Sequence, residues 1–135
     1  MKPACLMLAL MGILASAQAQ ATMRELMLDL IHPASNDILL FVNRGAPKSD
    51  AEWAVVRRGA LTLRESGDLL AMRNAQTDWQ RDAKMLADAG AAAYQAAQAK
   101  DLKALAALTE SLDASCTTCH KQYRPNVFPR EGGSK

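Results

Sequence analysis

The chain has 135 residues, half of them hydrophobic but only 4% aromatic, with 16 Lys and Arg against 14 Asp and Glu. That length sets the expectation at one domain, and the alanine-rich, aromatic-poor composition favours helices over strands. A formal net charge of only +2 argues against a nucleic-acid partner.

The N-terminus reads as an export signal. Lys2 supplies a positive start, Leu6 to Leu14 is a short apolar run, and Ala15-Ser16-Ala17 and Ala17-Gln18-Ala19 have the small-x-small pattern of a signal peptidase site. The run is far short of the roughly 20 residues that span a bilayer, so the segment is read as removable, without stable membrane insertion. Cleavage after Ala19 makes residues 1–19 the signal and residues 20–135 the mature domain, of 135 − 19 = 116 residues. Removing Lys2 leaves 15 basic residues against 14 acidic ones, a net charge of +1. The predicted location is the periplasm.

Four helices follow. The first is predicted from about Thr22 to Asn43, with Met23, Met27, Leu30, Ala34, Ile38 and Phe41 at the helical period. Pro33 interrupts its hydrogen-bond ladder, so a kink or a restart is expected there. Gly45 and Pro47 close the segment. Ser49 and Glu52 form a capping box that opens the second helix, whose stripe is Trp53, Val56, Ala60, Leu63 and Leu70. Gly59 and Gly67 weaken it but allow close approach of a neighbour. Thr77 and Gln80 read as another capping box, opening a third helix through Trp79, Ala83, Leu86, Gly90, Ala93 and Ala97. Asp101 caps the fourth, with Leu105, Leu108, Leu112, Cys116, Cys119 and Tyr123 on one stripe. Met72 and Met85 are read as core, and Trp53, Trp79 and Tyr94 as core or interface. The tail from Pro125 to Lys135 lacks periodicity and is expected to be mobile beyond Phe128. Short connections imply antiparallel neighbours. The fold class is all-α, an up-down-up-down antiparallel four-helix bundle, with no repeat or second domain.

Residues 116–120 read Cys-Thr-Thr-Cys-His, the attachment signature of a c-type haem. Two thiols three apart on a helix share a face and can reach the two vinyl groups of one porphyrin, while His120 offers an imidazole to iron. The chain has three cysteines, and Cys5 lies in the signal. The mature chain therefore keeps only the motif pair, and no cysteine remains for a disulfide elsewhere. The cofactor expected is one covalent haem c, held by Cys116 and Cys119 with His120 as proximal ligand. A redox Cys-x-x-Cys normally follows a strand at a helix N-terminus, and none precedes this one. A zinc site would have to assemble Cys116, Cys119, His120 and His32, with adjacent Cys119 and His120 poorly placed to grip one ion.

A Cys-x-x-Cys-His on the last of four helices, followed by Lys121-Gln122-Tyr123-Arg124, resembles the class II c-type cytochromes, the cytochrome c′ family. In that family a residue of the first helix covers the distal side of the iron. It is a methionine ligand in low-spin members and a non-ligating apolar residue in high-spin, five-coordinate ones. Glu25-Leu26-Met27-Leu28-Asp29 resembles the ligand segment of the low-spin branch, so the resemblance implies Met27 as distal ligand, with Met23, one turn earlier, as the alternative. Stripe methionines otherwise serve as core fillers. His32 lies five residues past Met27, about 140° around a regular helix, and is read as a solvated surface residue among Asp29, Ser35 and Asn36. Arg124, one turn past His120, would stand near the proximal ring or a propionate, or simply complement the helix dipole.

The function expected is single-electron carriage between redox partner proteins, with no enzymatic activity. The rivals are a five-coordinate protein binding nitric oxide or carbon monoxide, and a haem-free exported helical module for metal binding or protein interaction. The sequence leaves the reduction potential, the partners and the oligomeric state open, although members of the family often form a homodimer through their first two helices.

Overall fold

The protein was analysed as a computed structural model that describes residues 20–126. The expected signal at 1–19, its cleavage site and the tail beyond Phe128 lie outside the described residues.

Among the described residues four helices run in sequence. Helix α1 spans residues 23–43, helix α2 is Asp50–Ala71 and helix α3 is Thr77–Gln98. Helix α4 is made of Leu102–Ala107 and Thr109–Tyr123, joined through Leu108. No strand occurs among the described residues. Neighbours are antiparallel. Gly67 faces Ala83 and Ala87 while Gly90 faces Leu63 and Arg64, so α2 and α3 run in opposite senses. The Trp79 indole nitrogen extends that pairing by donating to the Leu70 carbonyl at 2.5 Å. Trp79 also meets the Tyr123 ring edge-on, with centroids 4.8 Å apart, which sets the sense of α4 against α3. The expected antiparallel four-helix bundle is therefore the observed one.

The core is aliphatic and thin. Val56, Ala60 and Leu63 of α2 and Leu105 of α4 are wholly buried, and Ile38 of α1 nearly so. Alanines 83, 89, 93, 96 and 97 line the facing side of α3. Small side chains let the α2 and α3 backbones approach until Gly67 and Gly90 have no room for a methyl group, which is the close approach that the glycines of α2 suggested. At Gly59 the Ala34 carbonyl oxygen of α1 would lie 2.7 Å from an added Cβ.

The end signals divide. Ser49 and Glu52 form the expected capping box, and Asp101 accepts from the Ala104 amide at 2.9 Å. Thr22 and Glu25 form a further box, which the sequence analysis did not single out. Thr77 does not cap: Gln76 occupies the cap position without a side-chain bond. The reason lies upstream. The Asn74 side chain accepts from the Gln76 amide, and the Gln80 side chain donates back to the Ala71 and Asn74 carbonyls, so both polar side chains serve the 72–76 connection instead. Gly45, with φ +96°, closes α1 as expected, and the Ala46 amide reaches back to the Phe41 carbonyl.

The largest departure is inside α1. Residues Leu26–Ile31 form a π-helical turn between α-helical Met23–Glu25 and His32–Asn43. Pro33 has no amide proton and its ring would crowd the carbonyl four residues back. The wider turn just before it is followed by a fresh α-helical stretch with Pro33 in its first turn, the restart that was one of the two expectations. It also shifts the phase. The buried residues are Leu26 and Ile31, five apart, then Ala34, Ser35 and Ile38. Leu30, expected on the core stripe, is 40% exposed. Met72, expected in the core, is 75% exposed because it falls at the C-cap of α2, where the helical phase ends. Met85 is half-buried.

Candidate haem site

Helix α4 carries the motif along its second stretch, which packs chiefly on α3, while the α1 contacts with α4 are mainly to Leu102–Ala107. Between the early part of α1 and the late part of α4 the bundle is hollow. A cleft of about 630 Å³ is lined by Met23, Met27, Trp79, Cys119, His120 and Tyr123 among others. A second, of about 430 Å³, takes in Met27, His32, Leu112, Cys116, His120 and Arg124. A small hollow of about 30 Å³ lies among Met27, Leu70, Asp82, Leu86, Cys116 and Cys119, with His120 also on its wall. Met27 and His120 are the two residues common to all three linings. The two larger volumes fall in the range of cofactor pockets, about 300–1,000 Å³.

Cys116 and Cys119 are free thiols, half-buried, on the side of α4 that looks into these hollows. Burial pushes the Cys116 thiol up. It pushes Cys119 up to about 11, with the Asp82 carboxylate adding to the effect. Both are therefore thiols at neutral pH, opposite to the lowered pKa of a redox-active Cys-x-x-Cys. His120 shifts the other way: burial, and after it the Arg124 cation, hold its imidazole below the usual histidine range. A neutral ring keeps a lone pair for a metal. Among the described residues no three His, Cys, Asp or Glu side chains gather as a metal-ion cluster, so the four-residue zinc arrangement does not assemble. The donor set fits a haem instead: two thiols on one face, an imidazole beside them, and a thioether on the helix across the cleft.

The structure places Met27 against all three hollows and Met23 against the outer cleft alone. His32 is exposed, as expected, with the Asn36 amide nitrogen 3.4 Å from its Nδ1. Its angular position is corrected, however. The His32 amide donates to the Met27 carbonyl, the five-residue step of the π turn. Five residues then make about one turn, and His32 comes to the wall of the same pocket as Met27. Arg124 borders both larger hollows, and Arg24 borders the outer one.

Two wall residues were not recognised as such. Trp79 is buried, as expected, yet also faces the outer cleft. Asp82 is 2% exposed. Its Oδ1 pairs with Arg81 at 2.9 Å, while among the described residues Oδ2 has no hydrogen-bond partner, and neither has the shielded Tyr123 hydroxyl. Its spacing held the signal: position 82 is three past Trp79 and four before Leu86, on the apolar stripe itself.

Among the described residues no helix is long and apolar enough to cross a membrane. No curated protein and no solved structure matches the chain. Residues 65–124 match the family model of cytochrome c′, from the middle of α2 through the Cys-x-x-Cys-His string to Arg124, with α1 outside the matched range. That match and the four-helix fold support a class II c-type cytochrome of the cytochrome c′ family.

Proposed function

We propose that the protein is an exported, periplasmic, monohaem cytochrome that carries single electrons between redox partner proteins, without enzymatic activity. The observation that carries this reading is that Met27 and His120, from different helices, both line all three hollows. Cys116 and Cys119 would form the two thioether bonds, His120 would hold the iron on the proximal side and Met27 on the distal side. Haem supplies reversible ferric–ferrous chemistry when bound, and the protein supplies the setting. Trp79, Leu86, Ile31 and Leu70 keep water from the inner walls. Burial keeps the His120 ring neutral. Arg24 and Arg124, at the cleft edge, suit the anionic carboxylates of a porphyrin. A histidine–methionine pair raises the potential relative to iron without the thioether.

The second reading, a five-coordinate binder of nitric oxide or carbon monoxide, holds if Met27 lines the same hollows as a space-filling side chain without ligating the iron. Absorption spectra of the purified oxidised and reduced protein decide between the two. Low-spin iron with the near-infrared thioether band, and resistance of the reduced form to carbon monoxide, support Met27 ligation. Met27→Ala should then turn the iron high-spin and lower the potential, while Met23→Ala should cost packing only. Swapped outcomes would move the ligand to Met23. High-spin iron in the unmodified protein would favour gas binding, and a colourless protein would leave the haem-free module.

A further inference from the structure

We propose that the buried carboxylate of Asp82 is a built-in negative charge that lowers the reduction potential of the haem site, biasing it toward the oxidised form. The inference rests on the haem reading above and adds a residue to which neither the motif nor the family match assigns a role. Asp82 is the one acidic residue among the buried polar side chains of the described chain. Its side chain is 1% exposed, and it lines the hollow shared by Cys116, Cys119 and His120.

Its two oxygens are treated differently. Oδ1 takes both Nε and Nη2 of Arg81, at 3.0 and 2.9 Å. Oδ2 is shielded from solvent and, among the described residues, takes nothing. A buried carboxylate with an open acceptor is costly, because water no longer solvates it. Arg81 holds Oδ1, yet the Arg81 side chain is 55% exposed and also pairs with Asp78 at 2.8 Å. The positive end of the pair is thus in water, where it is screened, and the negative end is in the dry wall. On the cofactor side the uncancelled field is negative.

A fixed negative charge favours the more positive oxidation state. The step it biases is the uptake of one electron from a reduced partner protein, ferric iron becoming ferrous, with no bond made or broken at Asp82. The carboxylate therefore offsets part of the high potential that a methionine ligand would confer.

The test is potentiometric titration of the haem-loaded protein. Asp82→Asn keeps shape and removes charge. It should favour reduction by about tenfold or more, which is about 59 mV for a one-electron couple, with the absorption bands unchanged. Asp78→Asn removes an exposed charge from the same arginine and should move the equilibrium less than about twofold, as screening predicts. Asp82→Glu keeps the charge and should stay near the unmodified value. Asp82→Ser is read in the same way as Asp82→Asn, so misfolding of one variant does not remove the test. A potential indifferent to both neutral variants, or an equal rise in Asp82→Glu, would overturn the proposal by making the residue a packing element only. A red protein with an indifferent potential sinks this inference alone, and a colourless one sinks the haem reading with it.

Discussion

The closest helix contact in the fold gives a sharp stability prediction. At Gly90 an added Cβ would stand 2.9 Å from both the Arg64 Cα and the Leu63 carbonyl carbon, and nearer still to the Arg64 nitrogen. All three are backbone atoms, so no side-chain rotation can yield. Ordinary contact begins near 3.4 Å, which leaves Gly90→Ala at least 0.5 Å short and requires α2 and α3 to part. Overpacking of this kind costs about 1–3 kcal/mol, and the clash here, against backbone on the largest helix interface, belongs at the upper end. The better helix propensity of alanine returns about 1 kcal/mol. The net is a loss of about 1–2 kcal/mol, and for a domain of this size the melting temperature should fall by roughly 4–8 °C. Thermal unfolding of the haem-loaded protein, followed by far-ultraviolet circular dichroism, measures it. Gly45→Ala serves as comparison, since nothing lies within 4 Å of its added methyl and only its φ of +96° resists. A Gly90→Ala protein that melts at or above the unmodified temperature would refute the close packing of α2 and α3.

His120→Ala should abolish the native absorption spectrum, whereas His32→Ala should leave the spin state unchanged. Loss of the low-spin bands in His32→Ala would make that imidazole, not the Met27 sulfur, the distal ligand. In haem-free protein Cys119 should alkylate slowly with iodoacetamide at pH 8. Its thiol, raised from 9.0 to about 11, holds about a hundredfold less thiolate there than an unperturbed one, and its rate should keep climbing to about pH 11. Rapid reaction at pH 7 would reveal an activated thiol instead. The Asp50 carboxylate is held below 3.8, first by its 2.6 Å hydrogen bond from Lys100 and then by that residue's charge. A lowered folded-state value means a contribution present above 3.8 and lost as pH falls through the lowered value. Asp50→Asn should therefore lower the melting temperature slightly at pH 7, with the difference vanishing in strong acid. A difference that grows in acid would mean the pair does not form.

What the sequence disclosed and what it hid follow one division. Features that act within four or five residues were legible: the Ser49 and Asp101 caps, the closing Gly45, and the cysteine–histidine string. The stripes of α2, α3 and α4 were legible because those helices keep a period of 3.6. Inside α1 that assumption failed, so Leu30 was assigned to the core and His32 turned too far from Met27. Thr77 was misread because Asn74, before the helix, and Gln80, in its first turn, both spend their side chains on the preceding connection. Asp82 was hidden by its residue type: a carboxylate on an apolar stripe is discounted until an arginine is seen holding it.

The π turn of α1 acts as an angular index between two neighbouring faces. Leu26 and Ile31 share the face turned to the core, and Met27 and His32, each one residue later, share the face turned to the cleft. Removing one residue from 26–31 would restore the α-helical repeat, bent at Pro33, and rotate the chain before it by about 100° against everything after. The core could be refilled by another leucine, since Leu28 and Leu30 already stand exposed on this segment. The cleft could not be refilled so simply, because Met27 would be carried off its wall. A one-residue change in length here would therefore spare the bundle and take the thioether out of the proposed haem site.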